Sequence, residues 1–91
     1  MTVYRGETVR IKATIKDFSG NLFDPDSQEI KIYDPSNTLK ETNTSPTKES
    51  VGVYYIDYNI PSDSNTGVWY VEWKVVKSDK TGKERYYFEV Q

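Results

Sequence analysis

One stretch constrains this chain more than any other: Gly67-Val-Trp-Tyr-Val-Glu-Trp-Lys-Val-Val-Lys77, in which Trp69, Val71, Trp73 and Val75 alternate with Tyr70, Glu72 and Lys74. Successive side chains of a strand point to opposite faces, so a strict period of two marks a β-strand with one buried face. Both tryptophans of the chain lie on that face. An aromatic side chain buries ~150–250 Å², so this strand is expected to supply more core area than any other, and the remaining segments must pack against it.

The neighbouring segments repeat the pattern. Val3 and Tyr4 make a short lead-in strand stopped at Arg5-Gly6, and Val9, Ile11, Ala13 and Ile15 then alternate with Thr8, Arg10, Lys12, Thr14 and Lys16. Ser19-Gly20-Asn21 and Asp24-Pro25-Asp26 carry turn chemistry, so residues 17–27 read as a loop. Ile30 and Ile32 face one way and Glu29, Lys31 and Tyr33 the other, up to a turn at Asp34-Pro35-Ser36-Asn37. Leu39 sits in a weak fourth strand, and residues 41–50, polar and aperiodic around Pro46, read as an exposed connection. Tyr54, Ile56, Tyr58 and Ile60 point together in the next strand. The segment 78–82 reads as a hairpin loop before a last strand with Phe88 and Val90 inward. No window shows helical spacing, and the turn-forming residues recur between short strands. The expectation is a single all-β domain over residues 1–91, a seven-stranded antiparallel Greek-key sandwich. Its expected core is Val9, Ile11, Ile15, Ile30, Ile32, Tyr54, Ile56, Tyr58, Trp69, Val71, Trp73, Phe88 and Val90.

Composition narrows the function. The 91 residues include no cysteine and no histidine, so there is no disulfide and neither the commonest general base nor the commonest metal ligand. Twelve basic and fourteen acidic residues, interspersed, give a net charge of −2, with no polybasic footprint for nucleic acid or an anionic membrane. No apolar run approaches a membrane span, and no secretion signal opens the chain. No nucleophile motif or phosphate-binding loop occurs, so the chain is read as non-enzymatic and without cofactor. A hydrolase built on Asp57, Asp63 or Glu72 is the catalytic alternative. Asp24 and Asp26, with Asp63 nearby, offer oxygen ligands for calcium, but Asp-Pro-Asp-Ser is also ordinary turn chemistry, and no metal site is assigned. Arg10, Lys12 and Lys16 share a strand face, either to meet an acidic partner or as a solvated face that discourages aggregation.

Several motifs together follow a known order: Tyr4-Arg-Gly-Glu-Thr-Val9, Asp17 with Gly20-Asn21, Ile32-Tyr-Asp-Pro35, Gly52-Val-Tyr54, Ile60-Pro-Ser-Asp63 and Gly67-Val-Trp69. This order resembles the immunoglobulin-like sandwich of macroglobulin-type MG2 domains, and is similar to short immunoglobulin-like proteins encoded among head, neck and tail genes of tailed phages and prophages. The resemblance implies an immunoglobulin-like fold. It also implies an accessory or connector protein of a virion, found in the virion or in the host cytoplasm during assembly, with other virion proteins or a second copy as partner. A bare single domain without a thioester cysteine favours that reading. The alternative is an extracellular or cell-surface module of a longer macroglobulin- or adhesin-type protein. In an immunoglobulin-like sheet, Tyr33, Tyr70 and Tyr87 would line up on the outer surface, with Lys31, Glu72, Lys74 and Glu89 around them. This row is the expected interaction face, the other reading being cross-strand pairing that only steadies the sheet.

Overall fold

The computed structural model describes residues 2–91. Eight strands run in chain order: β1 (Thr2–Val3), β2 (Thr8–Thr14), β3 (Ser27–Tyr33), β4 (Leu39–Asn43), β5 (Thr47–Ser50), β6 (Val53–Asn59), β7 (Gly67–Lys77) and β8 (Lys80–Val90). They form a five-stranded sheet in the order β1-β8-β7-β3-β4 and a three-stranded sheet in the order β2-β6-β5. The described residues include no helix.

The two sheets close on the faces that the alternation marks as apolar. All thirteen expected core residues are buried, joined by Val3, Ala13 and Ile60. The tryptophan strand is central in its sheet, between β3 and β8, and Trp69 and Val71 are fully buried. Trp69 lies 6.1 Å from Phe88 and 6.4 Å from Tyr58 across the core, while its Nε1 donates to the Asn65 carbonyl at 2.9 Å. Trp73 meets Tyr86 edge-on at 6.5 Å and donates from Nε1 to Gln28 Oε1 at 3.0 Å. Both indoles bury their rings without leaving an N–H unpaired, as a buried tryptophan requires.

One polar side chain is buried with this core. Asp34 is 2 % exposed, and its Oδ1 accepts the Ser36 and Thr38 amides at 2.9 and 3.0 Å. Its Oδ2 accepts Asn65 Nδ2 at 3.1 Å. The Thr38 amide above all holds its carboxyl below the ordinary range, against the opposing effect of burial. Asp34 therefore shapes the β3–β4 turn and ties it to the loop that carries Asn65 and, through it, Trp69.

The structure departs from the expected strand plan in three places. Residues 41–50 are not a connection: β4 extends to Asn43 and β5 occupies Thr47–Ser50, giving eight strands instead of seven. Only 44–46 link them across the two sheets, begun by Asn43 Oδ1 accepting the Ser45 amide at 2.8 Å. Each of these strands is the margin of its sheet and largely exposed on both faces, so backbone pairing to β3 and to β6, helped on β5 by the ion pairs of Lys48 with Asp24 and Glu49 with Lys12, holds it without apolar alternation. Second, β1 pairs parallel to β8, Thr2 opposite Glu89 and Val3 opposite Val90, so the fold is not wholly antiparallel. Third, the β7–β8 turn is two residues, Ser78-Asp79, rather than 78–82. Ser78 adopts a φ of 56°, the positive value that the first central position of a type II′ turn demands, and Asp26 Oδ2 accepts its amide at 2.7 Å.

Candidate interaction surface

Strand register decides which outward side chains meet. Tyr33 lies opposite Tyr70 on β3 and β7, and Tyr70 opposite Tyr87 on β7 and β8. The three rings form one row across the outer face of the five-stranded sheet, with Tyr70 in the middle. Tyr33 and Tyr70 stack at 4.7 Å with their planes 15° apart, and Tyr70 and Tyr87 lie 6.3 Å apart and tilted. Leu39, opposite Tyr33, extends the row, and Val68 lies beside it on β7; both are exposed, as is Tyr87. Tyr33 and Tyr70 are half-buried, because each covers the other. The row is thus sheet cover at its centre and open apolar surface at its ends.

The polar residues expected around the tyrosines are on this same face. Lys31, Glu72 and Arg85 make the next rung, and Glu29, Lys74 and Lys83 the one beyond; on the other side Glu89 lies opposite Val68. Glu72 takes Arg85 at 3.4 Å and Lys83 at 4.0 Å, and the Arg85 guanidinium lies 4.9 Å from the Tyr70 ring centre. Leu39, Val68 and Arg85 join this face beyond the residues expected there. Arg85 carried a signal in the alternation of the last strand. Leu39 carried none, since a bulge between Ile32 and Tyr33 sets its partner. Outside this face, Phe18 is fully exposed at the tip of a turn whose Asp17 Oδ1 accepts the Ser19 and Asn21 amides at 2.9 Å each.

The outer face of the three-stranded sheet is different. Arg10 grips Asp57 through two bonds, Nε–Oδ1 at 2.8 Å and Nη2–Oδ2 at 2.9 Å, and its guanidinium covers Tyr55 at 4.0 Å. Lys12 reaches Glu49 at 2.9 Å. Arg10 and Lys12 are therefore paired with acids of their own sheet, whereas Lys16 makes no ion pair among the described residues. The Arg10 contact holds the Asp57 carboxyl below its ordinary range.

The carboxylates do not assemble into a reaction centre or a metal site. Asp57 and Glu72 lie on opposite outer faces of the sandwich, two sheets apart, and Asp63 is in the β6–β7 loop. Asp63 is not near Asp24 either: Asp24 binds Gly52 just before β6 begins, whereas Asp63 follows the far end of that seven-residue strand. Among the described residues no group of three or more acids is placed to hold a metal ion.

Asp24 instead staples the fold. Its Oδ2 accepts Lys48 Nζ at 2.8 Å, and its Oδ1 accepts the Gly52 amide and the Tyr54 hydroxyl, each at 3.0 Å. Lys48 first, and then the Gly52 amide, lower its carboxyl from 3.8 to about 2. A folded-state value below the unfolded one adds stability that is complete above the unfolded value and lost as pH falls through the folded one. Asp24→Asn should thus melt lower than the parent at neutral pH, by roughly 5 °C, and the gap should close as the pH falls from 3.8 toward about 2. Thermal melts across that range check this. A gap that persisted unchanged at the acid end would show that Lys48 and Gly52 do not hold the carboxylate.

Comparison with known proteins agrees with this architecture. The Lin-41 filamin domain superposes with a TM-score of 0.68 at 16% identity, over 99% of this chain and 82% of that one. CopC from Methylosinus trichosporium OB3b superposes with a TM-score of 0.63 at 18% identity, over 99% of this chain and 81% of that one. At such identities the likeness is one of fold, and it establishes an immunoglobulin-like β-sandwich. No curated protein matches the sequence. The family model of the MG2 domain matches residues 2–90, nearly the whole length, and on that match the chain belongs to the MG2 domain family.

Proposed function

We propose that this domain is a non-enzymatic protein-interaction module that docks through the outer face of its five-stranded sheet, with Tyr70 at the centre. The observation that carries the reading is the register-matched row Tyr33, Tyr70 and Tyr87, flanked by exposed Leu39 and Val68 and bordered by charged rungs. Tyrosine offers rigid area with a polar tip, and an apolar centre inside a polar rim suits a moderate protein interface. The opposite sheet face, closed by its own ion pairs, offers no such centre.

The finer role we propose is an accessory or connector protein of a phage-type virion, meeting another virion protein or a second copy. Its support is the resemblance to short immunoglobulin-like proteins of phage structural gene clusters. Membership of the MG2 family favours, as a second reading, a module of a longer extracellular macroglobulin-type protein. Neighbouring genes for portal, capsid and tail proteins would favour the first, and a continuous secreted reading frame the second.

Sedimentation of the parent beside Tyr70→Ser and Tyr87→Ser at matched concentration tests the face. Both variants are expected to remain folded and to lose roughly tenfold or more in self-association, or in affinity for a purified virion partner, since central aromatic anchors carry about 2 kcal/mol or more. Unchanged association in both would reduce the row to sheet cover.

A further inference from the structure

The tyrosine face does not use the open seam of the sandwich. Between β2 in one sheet and β8 in the other lies a cleft of about 550 Å³, lined on its inner side by Ala13, Ile15, Trp73, Val75 and Tyr86. Both strands that flank it are margins: among the described residues β2 pairs only with β6, and β8 pairs on its outer side only with the two residues of β1. Register shows which backbone groups are open there. A two-residue hairpin closes on a pair that exchanges both hydrogen bonds, and such pairs alternate along an antiparallel ladder. Lys77 opposite Lys80 is that closing pair, so Lys80, Gly82, Glu84 and Tyr86 turn their N–H and C=O toward β7. Thr81, Lys83 and Arg85 turn theirs outward. Farther along the same edge, Glu89 meets β1, and Gln91 donates to Val3 O at 2.9 Å and accepts from Arg5 N at 3.1 Å.

We propose that this vacant stretch of β8 is a strand-addition site: it takes an extended peptide segment of a partner, in line with β1, pairing with Thr81, Lys83 and Arg85 while its alternate side chains cover the cleft. The same edge already binds a strand at its β1 end, which shows that it accepts pairing. Main-chain bonds give such additions their affinity and alternate side chains their specificity.

Charge specifies the occupant. Its outward side chains would lie beside Lys83 and Arg85, two cations that share the single carboxylate of Glu72, with Lys74 opposite Lys83. Acidic residues belong at those positions. Its inward side chains would lie beside Gly82, Glu84 and Tyr86 over the apolar lining, which calls for valine or isoleucine at the first and last and a small polar residue at Glu84. Lys16, on the β2 side, makes no ion pair among the described residues and adds to the positive rim. Glu84 also excludes a second copy, because pairing two β8 edges about their midpoint would oppose two inward carboxylates; an inward charge is how an edge strand resists pairing with itself. The partner is therefore another chain with an acidic, alternately apolar strand.

The test uses the whole domain, isotopically labelled, and an acetylated, amidated octapeptide with aspartate outward and valine, threonine and valine inward. Saturable amide shifts are expected at Thr81 to Tyr86 and at Lys12 to Lys16, with slowed hydrogen exchange at Thr81, Lys83 and Arg85. Lys83→Pro removes an outward N–H and leaves the β7 ladder its bonds, which an edge strand tolerates; it is expected to abolish binding. Lys83→Ala should weaken binding only a few-fold, and replacing aspartate with lysine in the peptide should weaken it about tenfold. Glu84→Thr should tighten it. Absence of saturable binding, shifts centred on Tyr70 instead, dimerisation through β8 in place of peptide capture, or a folded Lys83→Pro variant that binds like the parent would each overturn the proposal.

Discussion

Trp73→Ala is expected to leave the domain largely unfolded, or melting about 20 °C or more below the parent. Truncating a buried tryptophan costs ~3–5 kcal/mol through lost transfer energy and the cavity left behind. Trp73 is 2 % exposed, and its loss would also leave Gln28 Oε1 without its indole donor. A domain of 91 residues with no disulfide holds roughly 5–14 kcal/mol in all, taking 0.05–0.15 kcal/mol per residue. One cavity therefore removes a large part of the margin. Trp69→Ala should be at least as damaging, since Trp69 is wholly enclosed by Tyr58, Phe88 and the Asn65 loop. Trp73→Phe, which keeps most of the volume, should fall between variant and parent. Urea and thermal unfolding followed by far-ultraviolet circular dichroism check the order. A Trp73→Ala melt within a few degrees of the parent would contradict the burial on which the sandwich is built.

What was legible in the sequence follows from where side chains do the specifying. β2, β6 and β7 each bury one face, and a one-residue slip would turn that face to water, so the alternation of Val9, Ile11, Ala13 and Ile15, or of Trp69, Val71 and Trp73, fixes strand and orientation together. The tyrosine row followed in the same way, because outward residues are placed once the inward ones are known and once the immunoglobulin-like order sets β3, β7 and β8 side by side. Strands specified by pairing rather than by apolar alternation were not legible. Thr47–Ser50 has four exposed residues, and what makes it a strand is the edge of β6, which no local pattern encodes. Asp34 and Asp24 both read as turn residues; Asp34 is one, its Oδ1 accepting the Ser36 and Thr38 amides, whereas Asp24 caps no turn of its own and bonds instead to Lys48, Gly52 and Tyr54. Their reach to Asn65 and to Lys48, Gly52 and Tyr54 is a product of tertiary packing and has no signature in sequence spacing.

Gly52→Ala should be among the most damaging changes outside the buried core, at about 3 kcal/mol or more. Gly52, in the turn just before β6, has a φ of 73°, a conformation that costs a residue with a Cβ about 1–2 kcal/mol. The second and larger part is contact. An added Cβ would stand 2.8 Å from the Ile15 carbonyl oxygen and 3.1 Å from both the Phe23 amide nitrogen and the Leu22 Cβ. Two of those atoms are backbone and cannot swing aside. The same carbonyl of Ile15 accepts the Phe23 amide at 3.2 Å, while Gly52 accepts the Ile15 amide at 2.7 Å and donates to Asp24 at 3.0 Å. Relieving the clash thus means parting the end of β2 from the start of β6 and loosening the Asp24 staple. Gly20 provides the control, since its φ of 84° is similar but nothing lies within 4 Å of an added Cβ. Gly20→Ala should therefore cost only the conformational part, about 1 kcal/mol, or roughly 5 °C in melting temperature, against about three times that or more for Gly52→Ala. Parallel melts of the two variants separate backbone conformation from close approach. Equal losses would mean that φ alone makes residue 52 a glycine, and that the β2 and β6 ends are not packed against each other as closely as these distances require.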